Sequence, residues 1–433
     1  MSVPVLAKVL CALALILVLS RFVPLLPSIF VGAIVLAVWS GQSAGEMLRI
    51  AGNRFWSVDN WCLLLIVFQV IWLSSQMAET GVMEELVEAV RSRVSQRTSM
   101  AVLPAVIGLL PMPGGALFSA PLVDRCDVRD EFAPTLKAQT NHWFRHIWEY
   151  WWPLYPGVLV ALDETGLEVW QFMLLQIPLT ICAVGAGYLF LLRRIRMQDA
   201  SARAEVSEDG DGFLRLVLPI AVVVAGYVVV KLSHRGLSAV YPNVPGLNRY
   251  VPMIVGIFAA MAVLQWQRPL DGQVWKRLIF SRRVLSMAAI VAAVRIYGAF
   301  IEADLPTGVS VARQMSVEMD RWGISVMLIL MLLPFISGLA TGLSVGFVGV
   351  SFPVVMGLLG PDPTLSQVLP TVILSFGFGY MGMLISPVHV CLVVTSEHFK
   401  TGLLTNVAGL ARPAILMLLA SLGLYYAVGF LFG

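Results

Sequence analysis

The sequence predicts an all-α polytopic membrane protein with two inverted repeats, each holding a re-entrant hairpin and a broken helix, about 10 full spans plus 2 hairpins. Three observations carry this prediction. Of 433 residues, 58% are hydrophobic and 13% charged, about half the charged share of an ordinary soluble domain, roughly 25%. Apolar windows of the ~20 residues needed to cross a bilayer recur along the whole chain. One unusual string, G-x4-S-x-P followed by two aliphatic residues, occurs at Gly114, Ser119, Pro121 and again at Gly346, Ser351, Pro353, at a constant offset of 232.

Taken in order, spans are expected at 3–20, 23–41, 60–78, 139–162, 168–192, 213–232, 250–266, 283–302, 365–395 and 411–431. Stretches 99–124 and 323–359 are interrupted by glycine and proline and read as hairpins. The first 20 residues lack an A-x-A-like cleavage site and run straight into Arg21 and further apolar sequence, so they read as an uncleaved first helix. Segments 82–97 and 305–321 are charged on one side, the pattern of interfacial arms. The chain divides into N-terminal scaffold helices (1–54), a first repeat (55–196), a linker with two connecting scaffold helices (197–282) and a second repeat (283–433). The charged run MQDASARAEVSEDGDG at 197–212 marks the linker.

No stretch between spans is long enough for a separate folded domain, so the work is expected within the membrane and not in a soluble catalytic module. Cys11, Cys62, Cys126, Cys182 and Cys391 show no C-x-x-C spacing, which points to packing residues and to neither a zinc site nor a disulfide framework. A net charge of +3 without a basic, aromatic-interleaved run gives no nucleic-acid surface. Lys and Arg gather on the cytoplasmic side of membrane proteins. Alternating the connections puts Arg91, Arg93, Arg97, Arg125, Lys137, Arg193, Arg194 and most other basic residues on one side, so both termini are expected outside.

The duplication extends beyond one string. A proline follows 32 residues after Pro121 and 34 after Pro353, at Pro153 and Pro387. WPLYPGVLVALDE and SPVHVCLVVTSEH then run in parallel, ending near Asp163 and Glu397 at offset 234. Ordered self-similarity of this kind marks two copies of one unit, and an odd number of intervening crossings makes them inverted.

Inside hydrocarbon every backbone N–H and C=O needs a partner, so irregular backbone survives only when buried in protein or lining a wet cavity. Hairpin tips expose helix N-termini, whose free N–H groups attract anions, while carbonyls and hydroxyls suit sodium. Pro113, Gly114 and Gly115 are read as the first tip, with Ser119 facing inward. Ser337, Thr341, Gly342, Ser344 and Gly346 belong to the second, with Ser351 behind it. A sodium ion is a candidate near Gly114, Ser119, Gly346 and Ser351. Inverted repeats whose broken helices meet near the midplane are a recurring construction of secondary transporters.

In NHWFRHIWEYWWPLYPG, a continuous helix at ~100° per residue places His142, Arg145, His146 and Glu149 in one narrow arc. Two readings stay open: a salt-bridged cytoplasmic helix end with Arg145 and Glu149 paired, or an ion-coupling relay and anion vestibule within the membrane. His389, two residues after Pro387 and aligned with Tyr155, is the other candidate for proton coupling, with a structural role at the helix break as its alternative. Arg295 lies deep in its span and is expected to meet either an acidic group or an anionic substrate.

The LPMPGGALFSAPLVD and HWFRHIWEYWWPLYPG segments, within a pattern running from about residue 5 to 430, resemble the ion transporter superfamily. They look most like an uncharacterised prokaryotic integral membrane family within it. The resemblance implies an elevator mechanism, a homodimer and a multi-pass protein of the prokaryotic inner membrane. It also implies unwound, substrate-binding loops at 152–157 and 386–389, with Trp152, Tyr155, Ser386 and His389. The S-N-T tripeptide of the sodium/dicarboxylate branch is replaced here by P-G-G and A-T-G, so the resemblance reaches the superfamily and not the ion. The expected function is secondary active transport of a small organic anion driven by Na+ or H+, with no cofactor and no catalysis. Two alternatives are the membrane subunit of a TRAP-type system, and a metal-dependent membrane enzyme built on His142, His146 and Glu149. The latter lacks the glutamate of H-E-x-x-H.

Overall fold

The computed structural model describes residues 3–91, 93–109, 115–127, 131–195, 210–241, 243–360 and 362–432, without the side chains of 210–213 and 320. These residues are helical almost throughout. In chain order they form α1 (Val5–Leu19), α2 (Leu25–Trp39), α3 (Ala44–Phe55), α4 (Val58–Glu79), α5 (Val82–Arg91), α6 (Gln96–Gly108), α7 (Ala116–Cys126), α8 (Pro134–Arg145), α9 (Pro156–Thr165) and α10 (Val169–Phe190). Next come a single 3-10 turn (Leu192–Arg194), α11 (Gly210–Val240), α12 (Val251–Gln267), α13 (Gly272–Ile279), α14 (Arg282–Glu302) and α15 (Val311–Trp322). The chain closes with α16 (Val326–Thr341), α17 (Ser344–Gly357), α18 (Leu365–Leu384), α19 (Val390–His398) and α20 (Leu403–Phe432).

Local chemistry sets many of these boundaries. Ser43 and Glu46 close a reciprocal capping box at the start of α3, and Thr364 with Gln367 does the same for α18. Pro134 and Pro156 sit in the first turns of α8 and α9, where the missing N–H costs nothing. Gly166 ends α9 and Gly342 ends α16, both in the left-handed region.

Among the described residues six helices, α4, α10, α11, α14, α18 and α20, are long and apolar enough to cross a membrane. Of the ten full spans expected, the described residues thus give six long apolar helices, and several shorter apolar ones beside them. Expected spans 3–20 and 23–41 are helices of 15 residues, and 250–266 is one of 17. At ~1.5 Å rise per residue, 15 residues reach about 22 Å, short of a ~30 Å hydrocarbon core. Proline and glycine set the short lengths: α1 and α2 begin directly after Pro4 and Pro24, and the turn after α2 needs Gly41 at φ +84°. The apolar window of α18 is 89% buried against 11% for α20 and 17% for α11, so α18 is the internal column and the other two face outward. α16 and α17 pack against each other and against α18, as α6 and α7 do against each other and α8.

Three further expectations need adjustment. The arm at 82–97 is helical only to Arg91 before α6 begins at Gln96, and the arm at 305–321 becomes a helix only from Val311. α3 and α13 are not apolar and escaped the hydropathy reading. The linker run falls outside the described residues except for 210–212, which open α11.

Buried charge fastens these layers. Glu318 of α15 accepts from the backbone N–H groups of Val5 (3.0 Å) and Leu6 (2.8 Å), so a carboxylate caps the first turn of α1 from across the fold. Arg295 donates to Asp163 Oδ1 at 2.5 Å, with the two side chains 5% and 11% exposed, and Tyr250 donates to the same oxygen. Of the two outcomes expected for Arg295, the structure gives the acidic partner; the pair lines a polar cavity of about 190 Å³ with Arg54, Glu164 and Glu302. Removing one member of a buried pair strands the other charge and costs about 3–5 kcal/mol. Asp163→Ala is therefore expected to lower the unfolding midpoint of the detergent-purified chain sharply, and Asp163→Leu with Arg295→Met to recover most of the loss. Equal destabilisation in single and double variants would contradict this account.

Candidate functional site

Helix interruptions from both halves of the chain meet at one place. α8 stops at Arg145, turns occupy 146–155, and α9 starts at Pro156; α18 stops at Leu384 and α19 starts at Val390. The first break comes eight residues before Pro153, earlier than the proline-centred break expected, so only His142 and Arg145 of the charged stripe lie on a helix. Tertiary hydrogen bonds explain the early stop. Tyr380 donates to the His146 carbonyl and Thr180 Oγ1 to that of Ile147 at 2.8 Å, occupying acceptors that a continuing helix would use.

The two breaks are tied to the ends of α6 and α16 in matching ways. Tyr155 donates to the Gly108 carbonyl, and His389 Nδ1 lies 2.7 Å from the Gly342 carbonyl. Each contact spans 47 residues, and the members correspond at offset 234. Ser386 Oγ adds a bond to Leu339 O at 2.7 Å. The hydroxyl of Tyr380 and the carbonyl of His146, which it meets, also stand 234 residues apart.

Between these elements lies a cavity of about 100 Å³. Arg145, His146, Glu149, Tyr155 and Pro156 line it from the first break; Leu343, Ser344 and Val345 from the second tip; Met383, His389, Val390 and Cys391 from the second break. Ile71 of α4 and Arg283 and Met287 of α14 complete it. The N-termini of α9, α17 and α19 all border the cavity, so the positive ends of three helix dipoles stand near it. Two guanidiniums against one carboxylate make its lining net cationic before any histidine is counted.

Close approach dictates glycine at two positions. A Cβ on Gly157 would stand 2.6 Å from Ser344 Cβ and 2.9 Å from its carbonyl carbon, because the starts of α9 and α17 touch. Gly342 has φ +62°, and a Cβ there would lie 2.9 Å from the backbone nitrogen of His389. Gly115, the described end of the first tip, rests directly on the Arg145 guanidinium.

Three imidazoles form the most unusual cluster. The rings of His142, His146 and His389 lie 4.7, 4.9 and 5.2 Å apart by centroid and are fully or nearly buried. Each has one nitrogen on a backbone carbonyl: His142 Nε2 on Leu384 O (2.8 Å), His146 Nδ1 on His142 O (2.6 Å) and His389 Nδ1 on Gly342 O. One nitrogen of each lies within 4.8 Å of the others, a spacing that invites comparison with a metal site. Arg145 Nη1, however, lies 3.3 Å from His146 Nε2 and also reaches Cys391 Sγ at 3.4 Å. A fixed cation directed at the same lone pair opposes a divalent ion there. Glu149 Oε1 stands 3.8 Å from His146 Nε2.

Tyr155, Ser344 and His389 of the expected ligand set line the cavity, as do Arg145, His146 and Glu149 of the expected coupling set. His142 adjoins it through the imidazole cluster. Pro113 and Gly114 lie outside the described residues. Ser119 is fully buried with no hydrogen-bond partner for Oγ among the described residues, and Trp152 Nε1 likewise. Thr341 Oγ1 bonds Ser337 O and also packs on Gly346, and Ser351 Oγ bonds Phe347 O in its own helix. None of Ser119, Trp152, Thr341, Gly342, Gly346, Ser351 and Ser386 lines the cavity. Sequence reasoning missed Arg283, read only as a basic residue at a helix end, and Cys391, read as packing.

Gly157→Ala is expected to cost about 1–3 kcal/mol by overpacking, read as a lowered unfolding midpoint. Combination with Ser344→Gly removes the side-chain clash but not the backbone one, so recovery should be partial. Full stability in Gly157→Ala alone would show that the α9 and α17 starts are not in contact.

No curated protein matches the chain. Over residues 2–428 it matches DUF401, described as a protein of unknown function, and this multi-span helical membrane protein therefore belongs to the DUF401 family.

Proposed function

We propose that the chain is a secondary active transporter of a small organic anion of carboxylate type, driven by a Na+ or H+ gradient through an elevator mechanism. The observation that carries this reading is the cavity itself: two breaks and a hairpin tip converge on it with Arg145 and Arg283. Matching ties at offset 234 support two inverted repeats, with α6/α7 and α16/α17 as re-entrant hairpins. The cavity lies between two groups of elements. Breaks and tip supply one wall, and α4 and α14 supply the other, as expected if the hairpins and broken helices slide against a scaffold with the cargo between them. A homodimer in the prokaryotic inner membrane with both termini outside remains part of the proposal.

Anion recognition follows from the charges. Arg145 is held by His146 and Cys391, whereas Arg283 projects from the other wall and is exposed. A carboxylate entering the cavity gains charge-assisted bonds from guanidinium and lies near three helix N-termini. The apolar remainder, Ile71, Met287, Leu343, Val345 and Met383, suits a short carbon skeleton.

The test is uptake by the full chain in proteoliposomes under imposed H+ or Na+ gradients, across labelled mono-, di- and tricarboxylates; absence of accumulation for all of them under both gradients would remove the reading. Arg283→Gln is expected to raise the KM for the transported anion. Loss of one charge-assisted bond, about 1.5–3 kcal/mol, corresponds to roughly 10- to 150-fold. An unchanged KM would place the anion away from α14.

A further inference from the structure

We propose that His389 carries the coupling proton, as an imidazolium whose Nε2–H is donated to His146 Nε2, so that protonation ties the second tip to the first break. The word coupling rests on the transport reading; the position of the proton rests on hydrogen-bond logic alone.

A carbonyl oxygen only accepts, so His146 Nδ1, on His142 O, and His389 Nδ1, on Gly342 O, must both carry hydrogen. In a neutral ring the remaining Nε2 is then a lone pair. Yet the two Nε2 atoms lie 3.0 Å apart, a hydrogen-bond distance at which two lone pairs repel. One proton between them resolves the conflict. Its owner follows from Arg145, whose guanidinium has no acceptor and reaches His146 Nε2 at 3.3 Å. His146 Nε2 is therefore the acceptor, and the extra proton belongs to His389.

The surroundings fit a single added charge. Facing the pair are Arg145 and His142 from α8, Glu149 and Tyr155 from the first break, Tyr380 from α18, Cys391 from α19 and Arg283 from α14. Glu149 is the one carboxylate lining the cavity among the described residues. An anion entering beside Arg283 lowers the electrostatic cost of the imidazolium. The anion thus favours the protonated pair, and the protonated pair favours the anion, which is symport by linkage.

The proton also has a mechanical consequence. His389 holds the left-handed turn at Gly342 through Nδ1 and the first break through Nε2. When the proton leaves His389 Nε2 for water, no other bond changes, but the lone pairs face each other and that bridge is lost. The second tip is then freed from the first break on one side of the cavity.

The test uses the full chain, 15N-histidine labelled and reconstituted in liposomes. Solid-state 15N NMR between pH 5 and 8 is expected to show one doubly protonated imidazole coupled through Nε2 to the Nε2 of a second ring. The signal should vanish in His389→Asn, which can keep a donor toward Gly342 O, and persist in His142→Asn. Two neutral rings throughout, or metal bound in one-to-one amount and lost with the histidines, would overturn the proposal. In the same vesicles, uptake of acetate, succinate and citrate is followed with a pH-sensitive dye outside. External alkalinisation accompanying uptake by the natural chain, and its loss in His389→Asn, are expected. Anion uptake without proton movement keeps transport and overturns this assignment. If none of the three anions moves, coupling falls with the transport reading, while the NMR still decides where the proton sits.

Discussion

Unwound backbone in an apolar interior must find its hydrogen-bond partners in the protein, and the rest of this structure is arranged around that demand. At the two breaks the partners are side chains: Tyr380 and Thr180 serve the carbonyls of His146 and Ile147, while Tyr155 and His389 reach the hairpin ends at Gly108 and Gly342. Two of these four bonds, from Tyr155 and His389, fix the ends of α6 and α16 to a break. The cavity is enclosed by the same contacts that make its irregular walls tolerable.

Charge follows the same economy. The most buried ionisable groups are grouped so that each has a defined neighbour: Arg295 with Asp163, Glu318 with the start of α1, Arg145 with His146 and Cys391. The first two fasten layers and lie away from the cavity. The third lines the cavity.

Close packing allows little slack between these parts. Gly157 meets Ser344, and Gly342 meets His389, at distances that admit no side chain. Movement of the second tip must therefore be felt at both breaks. The imidazole cluster lies where this coupling is tightest, joining His142 and His146 from one half of the chain to His389 from the other.

Sequence by itself determined the all-helical membrane class and the neighbourhoods of the two interrupted helices. Hydropathy and Gly/Pro placement are local properties that a single sequence carries. It also marked His142, Arg145, His146, Glu149, Tyr155, Ser344 and His389, because ionisable or polar residues beside breaks in apolar sequence stand out. Tertiary structure alone decided which of these share a cavity, that Ser119 and Ser351 do not, and that α8 stops at Arg145 and not near Pro153. Those outcomes depend on donors such as Tyr380 and Thr180 arriving from distant helices. It also decided that Arg295 belongs to Asp163 and that Arg283 reaches the site. Helical spacing gives the direction of a side chain about its own axis, but only the packing of other helices says what it meets there.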